Sequence, residues 1–356
     1  MRRDKYIFIV ILFIVIIFDI MFITSKKEKY SDIENRYLSE FKIDNITEYL
    51  GDHFPYRVDF IKIKNRFSYL VGKRYINGIY IGKENYLVPE VEKIDDDKKN
   101  LMIKRVNEFS SNHAVDVMIV PDSILINKDK LSLTIGNNEE DEINDLYKSF
   151  KNSNNINVIN SLKDSNLKDD NMYYHTDHHW TSYGAYVGYK EYMKSKGYEY
   201  QDLDYFKLEE LSNNFKGTSL NKVIGLGLED KIYAPSIYNN LSVYYVLEDK
   251  ITNSLYNLDY LKERNQYALF LDNNHALIEI TNNDSSSDKE ILILKNSYAN
   301  SFIPFIVNEY KKTYVIDLRY YNKKVSDYLV DKNVNDILVL YNLNNLYSDT
   351  SLIKLK

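Results

Sequence analysis

The sequence predicts an α/β protein in which helices cover both faces of a parallel sheet. Between residue 101 and the C-terminus, short apolar runs of strand length alternate with segments of helical period. These runs are continuous rather than alternating, which is typical of strands that are buried on both faces. A longer apolar run near the N-terminus adds a predicted membrane helix.

The N-terminal apolar run extends from Tyr6 to Thr24 and is interrupted only by Asp19. A helix needs ~20 apolar residues to cross a bilayer, so this length is sufficient. Residues 22–26 contain no small-residue cleavage site of a secretory peptide, which favours an uncleaved anchor. Basic residues flank both ends, so charge does not orient the helix. The short tail before it favours placing residues 31–356 on the outer side of the membrane. A buried core helix is the alternative.

The elements that precede the sheet are predicted from turns and periodicity. Residues 26–50 are charged and indicate a stalk that leads into a helix. After a turn at residues 52–57, the pattern predicts a helix over Val58–Tyr69, a hairpin over Ile76–Leu87 and a helix over Asp95–Ser111.

The sheet itself is predicted from two regular stretches that flank a less regular one. The predicted strands are Val115–Val120, Ile156–Ile159, Ile291–Leu294, Thr313–Ile316 and Ile337–Tyr341, and the predicted helices are Glu140–Lys151, Gly184–Lys196 and Ala299–Tyr310. Residues 201–289 are irregular, with strand-like runs at Val243–Leu247 and Tyr267–Leu271. We expect this segment to be an insertion.

The composition narrows the classes of partner. The formal net charge is −6, and the sequence has no long basic stripe, so we expect no nucleic-acid binding. The absence of cysteine is compatible with an extracytoplasmic domain that does without disulfides.

The segment Tyr173–Tyr186 concentrates the chemically active side chains. It contains three of the six histidines, an acidic residue and the only tryptophan. Asp177 and His179 are two residues apart, so they can face one side of an extended segment. A histidine that a carboxylate orients is the usual base that activates a serine.

Two serines lie directly after predicted strands, where the chemistry of a parallel sheet collects. Ser297 is the better candidate because it also precedes a predicted helix, so that its backbone N–H can join an oxyanion hole. The residues after Ser123 are apolar, which indicates that the segment continues into the buried core. A helix cap is the other role open to either serine.

A metal site is the alternative interpretation of His175, Asp177, His178 and His179, because imidazole and carboxylate groups suit zinc or manganese. Adjacent histidines rarely converge on one ion without further ligands, and no second acidic cluster follows a predicted strand. We therefore predict no metal and no cofactor, and we expect His175 and His178 to have structural roles.

Several motifs together resemble the DHHW proteins of Gram-positive bacteria, which are similar to the alginate O-acetylation proteins of the SGNH hydrolase-like superfamily. They are Asp177-His-His-Trp180 with Thr181 and Gly184-Ala185, Lys295-Asn-Ser297-Tyr-Ala-Asn300, and Ile316-Asp-Leu-Arg319-Tyr-Tyr. Weaker matches lie at Glu34–Arg36, Asp52–Arg57 and Asn77–Gly82, so the resemblance covers nearly the whole chain after the anchor.

This resemblance implies a flavodoxin-like SGNH α/β/α sandwich with a permuted order of the triad, in which Asp-x-His precedes the serine. It implies that Asp177 is the orienting acid, His179 the base and Ser297 the nucleophile. It further implies O-acetylation of a secreted polysaccharide, with a multipass membrane-bound acyltransferase that delivers the acyl group.

The sequence departs from the family pattern at two places. Asn296 stands where the family usually has Asp, and residues 271–275 match a segment in which Gly-Gly-Asn is expected. Asn274 is the candidate oxyanion donor there. Tyr298, Arg319 and Trp180 are further candidates for contacts with the oxyanion or the substrate. For Trp180 a packing role is favoured, and for Arg319 a structural ion pair is an equal alternative.

The predicted domains are a cytoplasmic tail with the signal-anchor (1–30), an extension that packs on the catalytic domain (31–100), and an SGNH-like catalytic domain (101–356) with an insertion at about 201–289. The predicted function is a membrane-anchored extracytoplasmic polysaccharide O-acetyltransferase that works through an acyl-enzyme. The alternatives are a polysaccharide O-acetylesterase with the same triad and a non-catalytic exopolysaccharide-binding or assembly protein.

Overall fold

The computed structural model describes residues 2–25, 27–131, 138–165, 167, 171–236 and 240–355, so Met1 and Lys26 of the predicted tail and anchor lie outside the described residues. The helices are α1 (Arg2–Thr24), α2 (Ile46–Asp52), α3 (Arg57–Leu70), α4 (Asp96–Ser110), α5 (Ser123–Ile126), α6 (Glu139–Ser149), α7 (Ile159–Lys163), α8 (Ser182–Ser195), α9 (Leu203–Phe206), α10 (Thr218–Lys222), α11 (Ala299–Ile306), α12 (Val325–Leu329) and α13 (Leu343–Asp349).

The strands build one large sheet and three small ones. They are β1 (Tyr30–Ser31), β2 (Arg36–Tyr37), β3 (Tyr75–Ile76), β4 (Ile79–Ile81), β5 (Leu87–Pro89), β6 (Val115–Val120), β7 (Ser153–Asn155), β8 (Glu209–Phe215), β9 (Asp230–Ala234), β10 (Leu241–Tyr245), β11 (Lys250–Thr252), β12 (Leu277–Asn282), β13 (Glu290–Lys295), β14 (Lys312–Ile316) and β15 (Asp336–Asn342).

The central sheet has eight strands in the order β11-β10-β12-β14-β13-β15-β6-β7. The neighbouring strands β14, β13, β15, β6 and β7 pair in parallel. Strands β12, β10 and β11 extend the sheet beyond β14 and pair antiparallel. Every residue of β6 and β15 is buried, which explains why both strands are apolar except for Asp116 in β6 and for the end residues Asp336 and Asn342 of β15.

Two apolar clusters cover the two faces of this sheet. On β13, Ile291 and Ile293 pack with residues of α8 and α11, whereas Leu292 and Leu294 pack with residues of α4, α6 and α13. Successive side chains of a strand point to opposite faces, so the two clusters are the two halves of the core. The architecture is an α/β/α sandwich, which confirms the predicted fold class.

Helix α1 is the candidate membrane span. Its segment Lys5–Thr24 has a mean hydropathy of 3.2, and none of it is buried against the rest of the protein. The alternative of a buried core helix required burial, so this exposure argues against it. The segment is long and apolar enough to cross a membrane, although a signal sequence has the same properties.

The segment 201–289 contributes to the central sheet. Strands β8 and β9 form a separate antiparallel pair, but β10, β11 and β12 are the antiparallel edge of the large sheet. This part of the expected insertion is therefore continuous with the core. The domain boundaries themselves stay a prediction.

Two predicted strands differ from the structure. The strand expected at Ile156–Ile159 lies three residues earlier, and Ile159 begins a helix. The run Tyr267–Leu271 is a short 3-10 turn and not a strand. The apolar residues of both runs are buried, and hydrophobicity alone does not distinguish a buried strand from a buried turn.

Candidate active site

Polar side chains gather at the carboxyl edge of the central sheet. Ser297 follows β13, Asp122 follows β6, Asp317 follows β14, and Asn342 ends β15. These strands are parallel to one another, so their carboxyl ends meet at one edge. This edge is where α/β sheets of this kind form their sites.

The structure brings Ser297, His179 and Asp177 together in one hydrogen-bonded chain. The Nε2 atom of His179 lies 2.8 Å from the Oγ of Ser297, and its Nδ1 lies 2.5 Å from Oδ1 of Asp177. All three residues are buried. An ionised carboxylate only accepts hydrogen bonds, so Nδ1 carries the proton and Nε2 accepts the serine hydroxyl. This arrangement can deprotonate the serine.

The loop that carries Asp177 and His179 is closed at its base. Tyr173 and Trp180 pair as an antiparallel bridge, and Thr181 caps α8 by accepting a hydrogen bond from the N–H of Gly184. Within the loop, Oδ1 of Asp177 also accepts the backbone N–H of His179 at 3.0 Å. The segment is therefore a turn closed by an Asp side chain, and not the extended stretch that we expected.

Thr218 holds the carboxylate of Asp177 from the other side, and Gly217 lets the two segments approach each other. Its Oδ2 accepts the backbone N–H of Thr218 at 2.7 Å and the hydroxyl of Thr218 at 2.9 Å. A Cβ atom at Gly217 would lie 2.3 Å from the Cβ of Asp177, so only glycine fits there. Sequence reasoning missed both residues, although a Gly-Thr step before a short helix was a usable signal.

The carboxyl group of Asp177 is held in its charged form. Burial by itself raises the pKa of Asp177, but His178, His179 and the hydrogen bonds lower it by more. The pKa of Asp177 is therefore well below its usual range. A charged Asp177 stabilises the imidazolium that forms when His179 takes a proton.

His178 lies beside this chain of hydrogen bonds, with its Nδ1 3.5 Å from Oδ1 of Asp177, but its hydrogen bonds go elsewhere. Its Nδ1 lies 2.7 Å from the hydroxyl of Thr218, and its backbone carbonyl accepts the hydroxyl of Tyr298. Burial, followed by repulsion from His179, lowers the pKa of His178 to about 3. At neutral pH it is an uncharged side chain that supports Thr218.

His175 belongs to a second Asp–His pair in the same loop. Its Nδ1 lies 3.1 Å from Oδ1 of Asp230, which also accepts the backbone N–H of His175. The other oxygen of Asp230 accepts the N–H and the hydroxyl of Thr176. Asp230 thus anchors the start of the loop to β9.

Tyr267 is a site residue that sequence reasoning did not identify. Its ring stacks on the imidazole of His179, with 3.9 Å between centroids and 12° between planes. Its hydroxyl donates to the backbone carbonyl of Ser297 at 3.1 Å. Tyr267 therefore restricts the orientation of the histidine and the position of the serine at once.

Trp180 and Tyr298 lie in the core and not on the site surface. Both are fully buried, and the indole N–H of Trp180 donates to the carbonyl of Tyr298 at 2.8 Å. A Cβ at Gly188 would lie 2.8 Å from the Trp180 ring, so helix α8 packs directly on it. A fully buried ring cannot contact a substrate. We therefore assign Trp180 and Tyr298 a packing role instead of the substrate contact that was expected for them.

Ser123 is separated from this constellation. It is buried at the start of α5, and no histidine is hydrogen-bonded to it among the residues that the structure describes. The preceding Asp122 is also buried, and burial raises its pKa to about 6. Within the described part of the chain, no histidine is therefore placed to act as a base for Ser123.

Asn296, one of the two departures from the family pattern, is fully integrated into the edge of the sheet. Its Oδ1 accepts the N–H of Tyr298 at 3.1 Å, and its Nδ2 donates to Asn342 at 2.6 Å. Asn342 in turn donates to Asp122 at 2.5 Å. An ionised aspartate at position 296 has no proton to donate to Asn342, so the amide suits this network.

The second departure concerns the backbone around Asn273. Leu271, Asp272 and Asn273 have positive φ angles of 57°, 54° and 79°. Glycine adopts this conformation freely, and Asp and Asn tolerate it better than most residues. The chain thus makes a left-handed turn without the expected glycines.

The side chain of Asn274 is held by a buried lysine. The Nζ of Lys295 donates to Oδ1 of Asn274 at 2.9 Å and to Oδ1 of Asn300 at 2.7 Å, and it lies 3.5 Å from Asp317. Burial lowers the pKa of Lys295 to about 8 despite the charge of Asp317. Arg319 forms a two-pronged ion pair with Asp317, which is the structural role left open for it.

Lys295→Met is expected to lower the free energy of unfolding by about 2–3 kcal/mol, because two amide oxygens lose a charged donor. Urea unfolding measures this loss. Lys312→Met is the matched control, because Lys312 is half-exposed on the neighbouring strand, 3.8 Å from Glu290, and its loss is expected to change stability little. Equal stability of the two variants would contradict the proposed support of Asn274 and Asn300.

The group Asp177, His178 and His179 also has the composition of a metal site, since one ligand atom of each lies within 4.8 Å of the others. Both ring nitrogens of His179 are engaged by Ser297 and Asp177, and Thr218 binds the second oxygen of Asp177. An ion would have to replace these hydrogen bonds.

The central sheet, with helices on both faces and polar residues at its carboxyl edge, has the α/β/α sandwich architecture. Residues 92–316 match the sequence model of the DHHW proteins, and the chain belongs to this family. The match confirms the resemblance drawn from the Asp177–Trp180 motif. No curated protein matched the chain.

Two solved structures show the same fold. A DHHW family protein from Eubacterium siraeum has a TM-score of 0.66 at 18% identity, over 79% of this chain and 96% of that chain. PatB1 of Bacillus cereus, solved with a sulfonyl adduct, has a TM-score of 0.62 at 22% identity, over 77% of this chain and 96% of that chain.

Proposed function

We propose that this chain is a membrane-anchored extracytoplasmic O-acetyltransferase that modifies a secreted or cell-surface polysaccharide through an acyl-enzyme. The observation that carries the proposal is the hydrogen-bonded chain from Ser297 through His179 to Asp177 at the carboxyl edge of the sheet. A buried histidine between a serine hydroxyl and a carboxylate has the geometry of an activated nucleophile.

In the first half-reaction, Oγ of Ser297 bonds to the acyl carbon of the donor while its proton passes to Nε2 of His179. The bond between the acyl carbon and the donor's leaving group then breaks, and the leaving group takes the proton from His179. Ser297 now carries the acetyl group as an ester. Asp177 stabilises the imidazolium in between.

In the second half-reaction, a sugar hydroxyl attacks the ester on Ser297 and gives its proton to Nε2 of His179. Ser297 leaves as the alcohol and recovers that proton. The oxyanion of each tetrahedral intermediate needs donors, and we assign the backbone N–H of Ser297 and the amide of Asn274 to this role. Among the described residues, no acceptor is hydrogen-bonded to that N–H.

The donor and the location follow from α1 and from the family resemblance. With α1 as a single-pass anchor, residues 31–356 lie on the outer side of the membrane, where a cytoplasmic acyl donor is not accessible. A multipass membrane-bound acyltransferase would supply the acyl group from the cytoplasmic side. The catalytic domain comprises residues 101–356, and residues 31–100 connect it to the anchor.

Phenylmethylsulfonyl fluoride is expected to form a sulfonyl ester on Ser297 of the full chain, with loss of fluoride. Mass spectrometry of peptides identifies the residue. The adduct is expected to be absent in Ser297→Ala, much slower to form in His179→Ala, and unchanged in the control Ser123→Ala. An adduct on Ser123, or none at all, would overturn the assignment, and the second outcome is what a non-catalytic binding protein predicts.

Transferase and esterase differ only in the acceptor. The full chain is incubated with 4-nitrophenyl acetate and an oligosaccharide, and both acetate and acetylated sugar are quantified. Acetylated sugar that depends on Ser297 supports the transferase. Acetate as the sole product would replace the proposal by an acetylesterase that uses the same three residues.

A further inference from the structure

Helix α3 exposes its apolar face. Phe60, Ile63, Phe67 and Leu70 follow one another at spacings of three, four and three residues, so they form one stripe along the helix. Their exposed fractions lie between 48% and 80%. A surface helix of a soluble domain turns such a stripe towards the core, so this orientation requires another explanation.

The opposite face of α3 packs on the protein, and it combines polar residues with the half-buried Tyr69. Asn65 is fully buried, and its amide donates to the carbonyl of Ile224 at 3.0 Å. The guanidinium of Arg66 donates to the carbonyl of Gly225 at 2.6 Å. A Cβ atom at Gly225 would lie 2.9 Å from Cα of Lys62, so the two segments are in close contact. The outward direction of the apolar stripe is therefore built into the fold.

The exposed apolar surface continues onto α2. We define the apolar patch as Ile46 and Leu50 of α2 with Phe60, Ile63, Phe67 and Leu70 of α3, all of which are exposed. Soluble proteins rarely leave so many large apolar side chains together in water unless a partner or a membrane covers them.

The apolar patch adjoins the end of the candidate membrane helix. The ring of Phe18 in α1 stacks on Phe54 at 5.3 Å between centroids, and it lies 6.4 Å from Phe60. Phe22, one turn further along α1, meets Tyr49 of α2 edge to face at 6.3 Å. The surface that leaves the bilayer with α1 thus passes directly into the apolar patch.

The charges around the apolar patch suit an anionic lipid surface. Between Phe41 and Arg74 the sequence has seven basic and four acidic residues. Lys64 lines the same surface cavity as Leu50 and Phe60, and its long side chain can reach headgroups while its stem follows the apolar surface. Amphipathic helices with lysine and arginine beside an apolar face bind in the plane of the interface.

We propose that α2 and α3 lie in the interface of the phospholipid bilayer, with the apolar patch buried among the outer acyl chains beside α1. This inference rests on the proposed anchoring by α1. The membrane contact is rigid and not a flexible tether, because Asn65 and Arg66 fix α3 to residues 224–225. These residues follow α10, whose first residue, Thr218, binds Asp177. The bilayer contact thereby sets the height and the orientation of the active site above the membrane.

The absence of cysteine makes a direct test possible. The full chain is prepared with one cysteine at Ile63, Phe67, Ile14 of α1 or Val330, and each is labelled with an environment-sensitive fluorophore. Ile63→Cys and Phe67→Cys report on the patch, and Ile14→Cys reports on the anchor. Val330→Cys is the matched control, an apolar residue that is 78% exposed after α12.

The labelled proteins are reconstituted singly into nanodiscs of phosphatidylcholine with about one quarter phosphatidylglycerol. Some of the phosphatidylcholine carries a nitroxide that quenches nearby fluorophores, placed near the headgroup in one preparation and near the end of an acyl chain in a second. The second preparation reaches the label at position 14, which lies in the middle of the span. The labels at positions 63 and 67 are expected to lose most of their fluorescence, and the label at 330 is expected to keep it. Circular dichroism checks that each variant is folded.

The other outcomes are distinguishable. A quenched label at 14 with unquenched labels at 63 and 67 would overturn the bilayer contact and leave the anchor intact, as expected if a protein partner or a second copy covers the patch. Unquenched labels at 14, 63 and 67 would overturn both proposals. Equal quenching at 330 would also overturn the specific contact.

Discussion

His179→Ala and Ser297→Ala are each expected to lower the rate of acetyl transfer by about a million-fold. Each variant removes one end of the 2.8 Å contact through which the serine loses its proton. The rate that remains comes from binding and from the oxyanion donors, which neither substitution touches. Acetyl transfer to an oligosaccharide, measured with the full chain, gives the two rates.

The double variant Ser297→Ala/His179→Ala is expected to be no slower than either single one, because the two groups act as a unit. His178→Ala serves as the neighbouring control, since His178 contacts Thr218 and is not hydrogen-bonded to Ser297. If polysaccharide acetylation persists in cells that carry Ser297→Ala or His179→Ala, the proposed mechanism is wrong. Loss in His178→Ala as deep as in His179→Ala would mean that the wrong histidine was chosen.

Asp177→Asn is expected to lower the transfer rate by about 10⁴-fold, as the same change does in other Ser-His-Asp enzymes. Both oxygens of Asp177 accept hydrogen bonds, from His179 on one side and from Thr218 on the other. An amide has only one oxygen, so an NH₂ group must face one of these donors. If it faces His179, the imidazole takes the wrong tautomer and Nε2 no longer accepts the serine proton.

The matched control for this variant is Asp230→Asn. Asp230 accepts the same kinds of hydrogen bond from His175 and Thr176 in the same loop, but His175 is not hydrogen-bonded to Ser297. Urea unfolding should show comparable losses of stability for the two variants, of about 1–3 kcal/mol. Only Asp177→Asn should lose most of the transfer rate. Equal rates in the two variants would reduce Asp177 to a structural role.

The parallel part of the sheet was predictable because its strands are buried on both faces. Continuous apolar runs such as Ile291–Leu294 and Ile337–Tyr341 therefore coincide with β13 and β15. The run Tyr267–Leu271 is equally apolar, yet it forms a turn whose last residue has a positive φ. The hydrophobicity of this run does not indicate that the turn places Tyr267 against His179.

The candidate site was predictable to the level of residue types. The DHHW motif and the position of Ser297 after a strand selected the residues that the structure brings together, and the resemblance chose between His178 and His179. Thr218, Gly217 and Tyr267 were missed because they come from segments 40 to 90 residues away from Asp177 along the chain. Their relation to the site exists only through tertiary contacts.

The sequence by itself determined the parallel core, the apolar N-terminal helix and the family. Each of these depends on consecutive residues: apolar runs for strands buried on both faces, an apolar run of membrane length, and a local motif. Only the tertiary structure decided the tautomer of His179, the packing role of Trp180 and the outward face of α3. These depend on which groups the fold places within hydrogen-bonding or packing distance. Helix α3 has the same amphipathic pattern whichever face is turned outward, and its buried Asn65 decides the direction.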